Sequence, residues 1–167
     1  MKTFSNQNYS SKTPGKISAS ILIFDSGVGG LTIAKEIIQL IPNGLEIEYL
    51  MDDDAFPYGE QPDGWLTERI CSVCIQAVEE KKPALLVVAC NTASTLALDR
   101  LRHHLDIPVV GVVPAIKVAA EHTTNRVIGL LATPATVKRQ YTQDLIDQFA
   151  THCQVNLLGS TQLVIWA

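Results

Sequence analysis

Cys90 closes an apolar run, Leu85-Leu86-Val87-Val88-Ala89, and Asn91-Thr92 follow it directly. A short run of this kind reads as a buried strand, and Asn-Thr suits the opening turn of a helix. A thiol at that junction meets backbone amide donors and the positive end of the helix dipole, both of which lower its pKa towards a reactive thiolate. The same residue also reads as a small core side chain, since free cysteine is among the most buried residue types. Asn91 and Thr92 carry groups that bind a carboxylate. In open α/β sheets this carboxyl edge of the strands is where ligands bind.

A second apolar run, Ile21–Phe24, leads into Asp25-Ser26-Gly27-Val28-Gly29-Gly30-Leu31-Thr32. Glycines there let backbone amides approach an anion at a helix start. The stretch matches neither G-x-G-x-x-G nor the P-loop, which disfavours a nucleotide. Its plainer reading is a tight turn with Asp25 and Ser26 capping a helix. An aspartate at a strand end can also activate a neighbour or meet an ammonium group.

Other candidates are weaker. Asp52-Asp53-Asp54 could hold Mg²⁺, but no matching carboxylates stand at other strand ends, so a solvated acidic loop is expected. Phe56-Pro57-Tyr58-Gly59 joins a rigid turn to a loop tyrosine and a glycine amide. Cys71-Ser72-Val73-Cys74 has the spacing of a redox or zinc pair. It falls in mid-helix with Cys74 on the apolar face, so core packing is expected. The four histidines, at 103, 104, 122 and 152, lie away from Cys90 in sequence, and nothing promotes a Cys-His hydrolase.

The elements that would position these groups alternate strand and helix. Strands are expected at 21–24, 47–51, 84–89, 108–113, 127–132 and 154–158, with helices at 31–41, 66–82, 92–105, from Pro114, and at 136–150. The helix from 31 stops at Pro42-Asn43-Gly44, and another helix could begin in GSTQLV after the sixth strand. Single-helix crossovers predict an α/β fold with a parallel sheet covered on both faces, flavodoxin-like in its alternation. A chain of 167 residues that is 47% hydrophobic can bury such a core. A net charge of −4 offers no footprint for nucleic acid or an anionic membrane. No run is long enough to cross a bilayer, and residues 1–20 lack the apolar centre of a secretory signal. Four cysteines without a disulfide framework fit a reduced, cytoplasmic setting.

Together these motifs resemble glutamate racemase, within the aspartate/glutamate racemase superfamily. The matching residues are FDSGVGGLT at 24–32, the 52–59 loop with FPYG, VVACNTAS at 87–94, PVVGVVPAIK at 108–117 and GLLATPATVKRQY at 129–141. The resemblance implies interconversion of L- and D-glutamate for peptidoglycan, with no cofactor and no metal. It implies that Cys90 is one of two cysteines flanking the α-carbon, with Asp25 assisting it. Asp25, Ser26, Tyr58, Gly59, Asn91 and Thr92 would bind substrate, with Thr133 and Thr136 as further contacts. It also allows a homodimer, and a cell-wall-precursor regulator at the leader.

One departure stands out. The family's second half carries a Gly-Cys-Thr-His block with the other cysteine, and this sequence has none; Thr151-His152-Cys153 holds the same types in another order. The expectation is therefore a C-terminally truncated chain with a flexible leader at 1–20. A first α/β domain at 21–113 would lack its return segment, and a second, pseudo-symmetric one would only begin at 114–167. Such a chain is expected to racemise poorly or not at all.

Overall fold

The structure, a computed structural model, describes residues 2–5, 19–41 and 45–162. It divides into two compact units, Met1–Val112 and Val113–Ala167.

The first unit is a five-stranded sheet of β1 (Lys2–Ser5), β2 (Ala19–Asp25), β3 (Leu45–Met51), β4 (Leu85–Val88) and β5 (Val109–Gly111). Their spatial order is β1-β3-β2-β4-β5. The last four are parallel, and β1 adds antiparallel to the outer edge of β3, pairing Lys2 with Met51. The expected flexible leader is thus corrected at residues 2–5, which form a strand; residues 6–18 lie outside the described residues, as do the Pro42-Asn43-Gly44 helix stop and residues 163–167 of the last expected helix.

β2 and β4 are buried at successive positions because each has a neighbour on both sides and the sheet is covered on both faces. Ile21, Ile23, Tyr49, Val87 and Ala89 share one face with Ala34 of α1 (Leu31–Leu40). By strand alternation Leu22, Phe24, Leu86 and Val88 point the other way. On that side α3 (Asn91–His104) packs on β4 and β5, and α2 (Asp63–Lys81) packs on α3. α2 buries Leu66, Ile70, Cys74 and Ala77 at helical spacing, and it ends at Lys82, whose left-handed backbone (φ 50°) breaks the helix.

The second unit pairs β6 (Val127–Ala132) with β7 (Gln154–Gly159) in parallel. Ile128 packs with Ile116 and Ala120 of α4 (Ile116–His122) and with Ala150. The helix expected from Pro114 begins two residues later, at Ile116. The single helix expected at 136–150 is two, α5 (Pro134–Lys138) and α6 (Gln140–Phe149), parted by extended backbone at Arg139. The buried Thr142 hydroxyl donates to the Thr136 carbonyl at 2.7 Å, replacing a helical bond that the break removes. No helix among the described residues is long and apolar enough to cross a membrane.

Candidate active site

In the parallel set, ordered β3-β2-β4-β5, successive strands of the chain are added on opposite sides of the β2/β4 seam. The first strand of the chain's parallel set lies between the second and the third, so this seam is the topological switch point, where a crevice opens beyond the strand ends. Asp25 ends β2, and Cys90 stands two residues past β4. The strands meet here in close register, Phe24 opposite Val88, and the Ala89 amide donates to the Phe24 carbonyl at 2.8 Å. The fold therefore brings Asp25, Ser26 and Cys90 together although 64 residues separate the last two.

The Asp25 carboxylate is held by its own loop. Its Oδ2 accepts from the Gly30 amide at 2.9 Å, the Gly27 amide at 3.3 Å and the Tyr49 hydroxyl at 3.3 Å. Tyr49 also lies 3.0 Å from the Gly27 carbonyl, so its single proton is placed between two acceptors of the loop. Burial, and then the charge of Asp25, push the Tyr49 phenol well above its usual range, and it remains a donor. All three donors fall on one oxygen. Gly30 is required by space rather than by backbone angle: its φ is −66°, but a Cβ there would stand 2.8 Å from Ala89 Cβ and from the Tyr49 hydroxyl.

Cys90 is the N-cap of α3. Its Sγ accepts from the Ala93 amide at 3.5 Å, as a serine or aspartate does at this position, and it lies 3.4 Å from Ser26 Oγ. No acid occupies the first turn of α3, and Arg102, His103 and His104 complete its last turn, so the positive helix end is left to the sulfur. These two lowering effects are nevertheless outweighed. Burial pushes the thiol up more strongly than the Ser26 hydroxyl and the Ala93 amide pull it down, and Asp25 adds to the rise. Only 7% of Cys90 is exposed, so its charge finds little water. The thiol form predominates, and each thiolate that does form is a stronger base. Ser26→Ala removes a group that lowers the pKa. The pH midpoint of Cys90 alkylation by iodoacetamide, read by peptide mass spectrometry, is expected to move to higher pH; an unmoved midpoint would show that the hydroxyl does not bond the thiolate.

Asn91 and Thr92 form the first residues of α3 beside the sulfur, Asn91 exposed and Thr92 buried. Gly59 lies with Tyr58 in a short 3-10 turn, Tyr58–Glu60, that packs on α3. Tyr58 itself is 2% exposed, its ring 6.4 Å from that of Phe24 and its hydroxyl donating to Asp52 Oδ2 at 2.6 Å. Asp52 corrects the expectation of a solvated loop. It is fully buried and held by a two-pronged Arg69 contact, Nε to Oδ2 at 2.7 Å and Nη2 to Oδ1 at 2.5 Å. Burial pushes the Asp52 carboxyl up, but Arg69 and Tyr58 outweigh it and hold the group below the usual range. Tyr49 and Arg69 were both missed by sequence reasoning. A tyrosine in an otherwise apolar strand beside Asp25's strand was the available signal for the first.

Cys71 and Cys74 are buried in the body of α2, and burial pushes both thiols up, against the thiolate a redox pair needs. In the second unit Thr133 caps α5 and its hydroxyl lies 2.9 Å from that of Thr136. Cys153 packs at the margin of that unit's core.

Residues 32–164 match the family model described as Asp/Glu/Hydantoin racemase. The chain belongs to this family. Among curated members it is 52% identical over 153 residues to the glutamate racemases of Klebsiella pneumoniae (strain 342) and Escherichia coli (strain K12), covering 91% of this chain and 53% of theirs. Among solved members, Escherichia coli glutamate racemase in complex with L-glutamate and the activator UDP-MurNAc-ala superposes with a TM-score of 0.79. It is 51% identical over 88% of this chain and 55% of its own. The racemase from Aquifex pyrophilus gives 0.78 at 36% identity, over 89% of this chain and 57% of its own. The chain spans about half the length of the curated relatives it matches.

Proposed function

We propose that these residues form one side of a cofactor-independent site that interconverts L- and D-glutamate in the cytoplasm, for peptidoglycan. The observation that carries this is the meeting of Cys90 Sγ with Ser26 Oγ at 3.4 Å, at the switch point and beside Asp25. The α-proton of an amino acid is weakly acidic, so a base of high proton affinity is required, and a buried thiolate is one. Cys90 S⁻ takes the α-proton, becoming S–H and leaving the electron pair on the α-carbon. Asp25 uses Oδ2 for its loop and presents Oδ1 to the substrate ammonium, whose positive charge offsets the carboxylate's effect on the thiol. Ser26, Asn91 and Thr92 hold the α-carboxylate, which takes up the developing charge. Gly59 and Tyr58 contribute through the backbone, since the Tyr58 hydroxyl is committed to Asp52.

Inversion needs a proton donor on the opposite face of the α-carbon, and the sequence has no Gly-Cys-Thr-His block to supply it. We assign the second unit to the start of a second, similar domain. With L-glutamate and D-glutamate each incubated in D₂O, loss of the α-proton from the enantiomer that presents it to Cys90, followed by NMR, is expected to outrun inversion followed by circular dichroism by ~10²-fold or more. Inversion at the rate of exchange would place a second base among these residues and overturn the one-sided assignment. No exchange at all would favour a chain that at most binds glutamate.

A further inference from the structure

Arg69 lies on α2 between Leu66 and Ile70, both fully buried, so its backbone is anchored by the helix face that meets the core. Its side chain, 28% exposed, reaches inward to an Asp52 with no exposure at all. A carboxylate so placed has no water to solvate it, and its charge rests on the Arg69 fork and the Tyr58 hydroxyl. The outer side of the guanidinium stands 5.6 Å over the Trp65 ring. Asp54, 3.8 Å away and 65% exposed, adds little. Asp52 is in turn tied to the catalytic loop, its amide donating to the Asp25 carbonyl at 3.0 Å. Beyond Tyr58 the same turn carries Phe56, whose ring lies 3.6 Å from where a Cβ on Gly27 would stand.

We propose that Arg69 is a positioning residue of the site: through the Asp52 carboxylate it holds Tyr58, and with it the Phe56–Gly59 turn, against the Gly27 loop and the start of α3. Arg69 touches none of the groups assigned to chemistry, and it fixes the wall beside them. Its functional meaning rests on the role proposed for Cys90. Its test needs no glutamate, so a failure of proton exchange and a failure of this inference are separate results.

The 167-residue chain is alkylated with iodoacetamide at fixed pH, and the rates at Cys90 and Cys153 are read peptide by peptide. Cys153, in the other unit, is the internal reference. Arg69→Met keeps the apolar stem and removes the fork. It is expected to raise the Cys90 rate relative to Cys153 by ~5-fold or more, as the turn opens locally. Tyr58→Phe, which deletes only the hydroxyl, gives the same change. The double variant gives no more than either, since both break one chain of contacts. Arg69→Lys, with a charge but no fork, falls between wild type and Arg69→Met. An unchanged ratio in Arg69→Met, multiplying effects in the double variant, or no partial rescue by lysine overturns the proposal. If Arg69→Met does not fold, Tyr58→Phe decides alone: a faster Cys90 supports it and an unchanged one overturns it.

Discussion

Cys90→Ala is expected to slow exchange of the glutamate α-proton by ~10²-fold or more, because it removes the group at the switch point to which that proton is assigned in the proposal. The substitution is mild for the fold. It deletes one sulfur whose partners, the Ala93 amide and the Ser26 hydroxyl, border the crevice beyond the strand ends. Thermal unfolding should therefore change far less than exchange does, by about the cost of a lost N-cap, ~1 kcal/mol. The pH dependence follows from the raised thiol. Exchange in the wild type should climb with pH throughout the neutral range as the thiolate population grows, with no plateau until the thiol's own elevated midpoint is passed. A rate already level at neutral pH would mean that the thiol titrates below the ordinary range for cysteine.

Gly30→Ala is expected to cost about 1–3 kcal/mol of stability and to displace Asp25, although alanine is the better helix former. The added methyl would meet Ala89 Cβ and the Tyr49 hydroxyl at 2.8 Å and Asp25 Cβ at 3.0 Å. Two of these three belong to groups that cannot yield cheaply. Ala89 is the residue that leads β4 to Cys90, and Asp25 hangs from the Gly30 amide itself at 2.9 Å. Movement of the Tyr49 ring relieves one contact only by withdrawing the hydroxyl from Asp25. Chemical denaturation gives the stability change. A fall in exchange beyond what the unfolded fraction explains gives the displacement. Retention of both stability and exchange would show that the loop has slack the contact distances deny it.

Much of this was legible along the chain, and the reasons separate cleanly. The strands ILIF and LLVVA declare themselves because a parallel strand buried on both faces is apolar at every position. Cys90 is visible as a site candidate because the run stops there and polar residues that open a helix follow. The direction of its pKa shift was not legible. The dipole and the amides are local and can be counted, but burial depends on everything that packs around the sulfur. Asp52 was misread for a related reason. In an acidic, Pro/Gly-rich loop it looks solvated, and the arginine that keeps it charged stands 17 residues further on, on a helix. The break at Arg139 and the strand Lys2–Ser5 share a third cause. Each depends on a partner, the Thr142 hydroxyl or the free edge of β3, that local periodicity does not record.

The central claim is that a single base, Cys90, works on one face of the glutamate α-carbon. The most direct measurement incubates the 167-residue chain in D₂O with L-glutamate and D-glutamate separately and follows the α-proton by NMR. A base on one face predicts exchange in one enantiomer, little in the other, and none in either with Cys90→Ala. Equal exchange in both enantiomers, or exchange that survives Cys90→Ala, would contradict it.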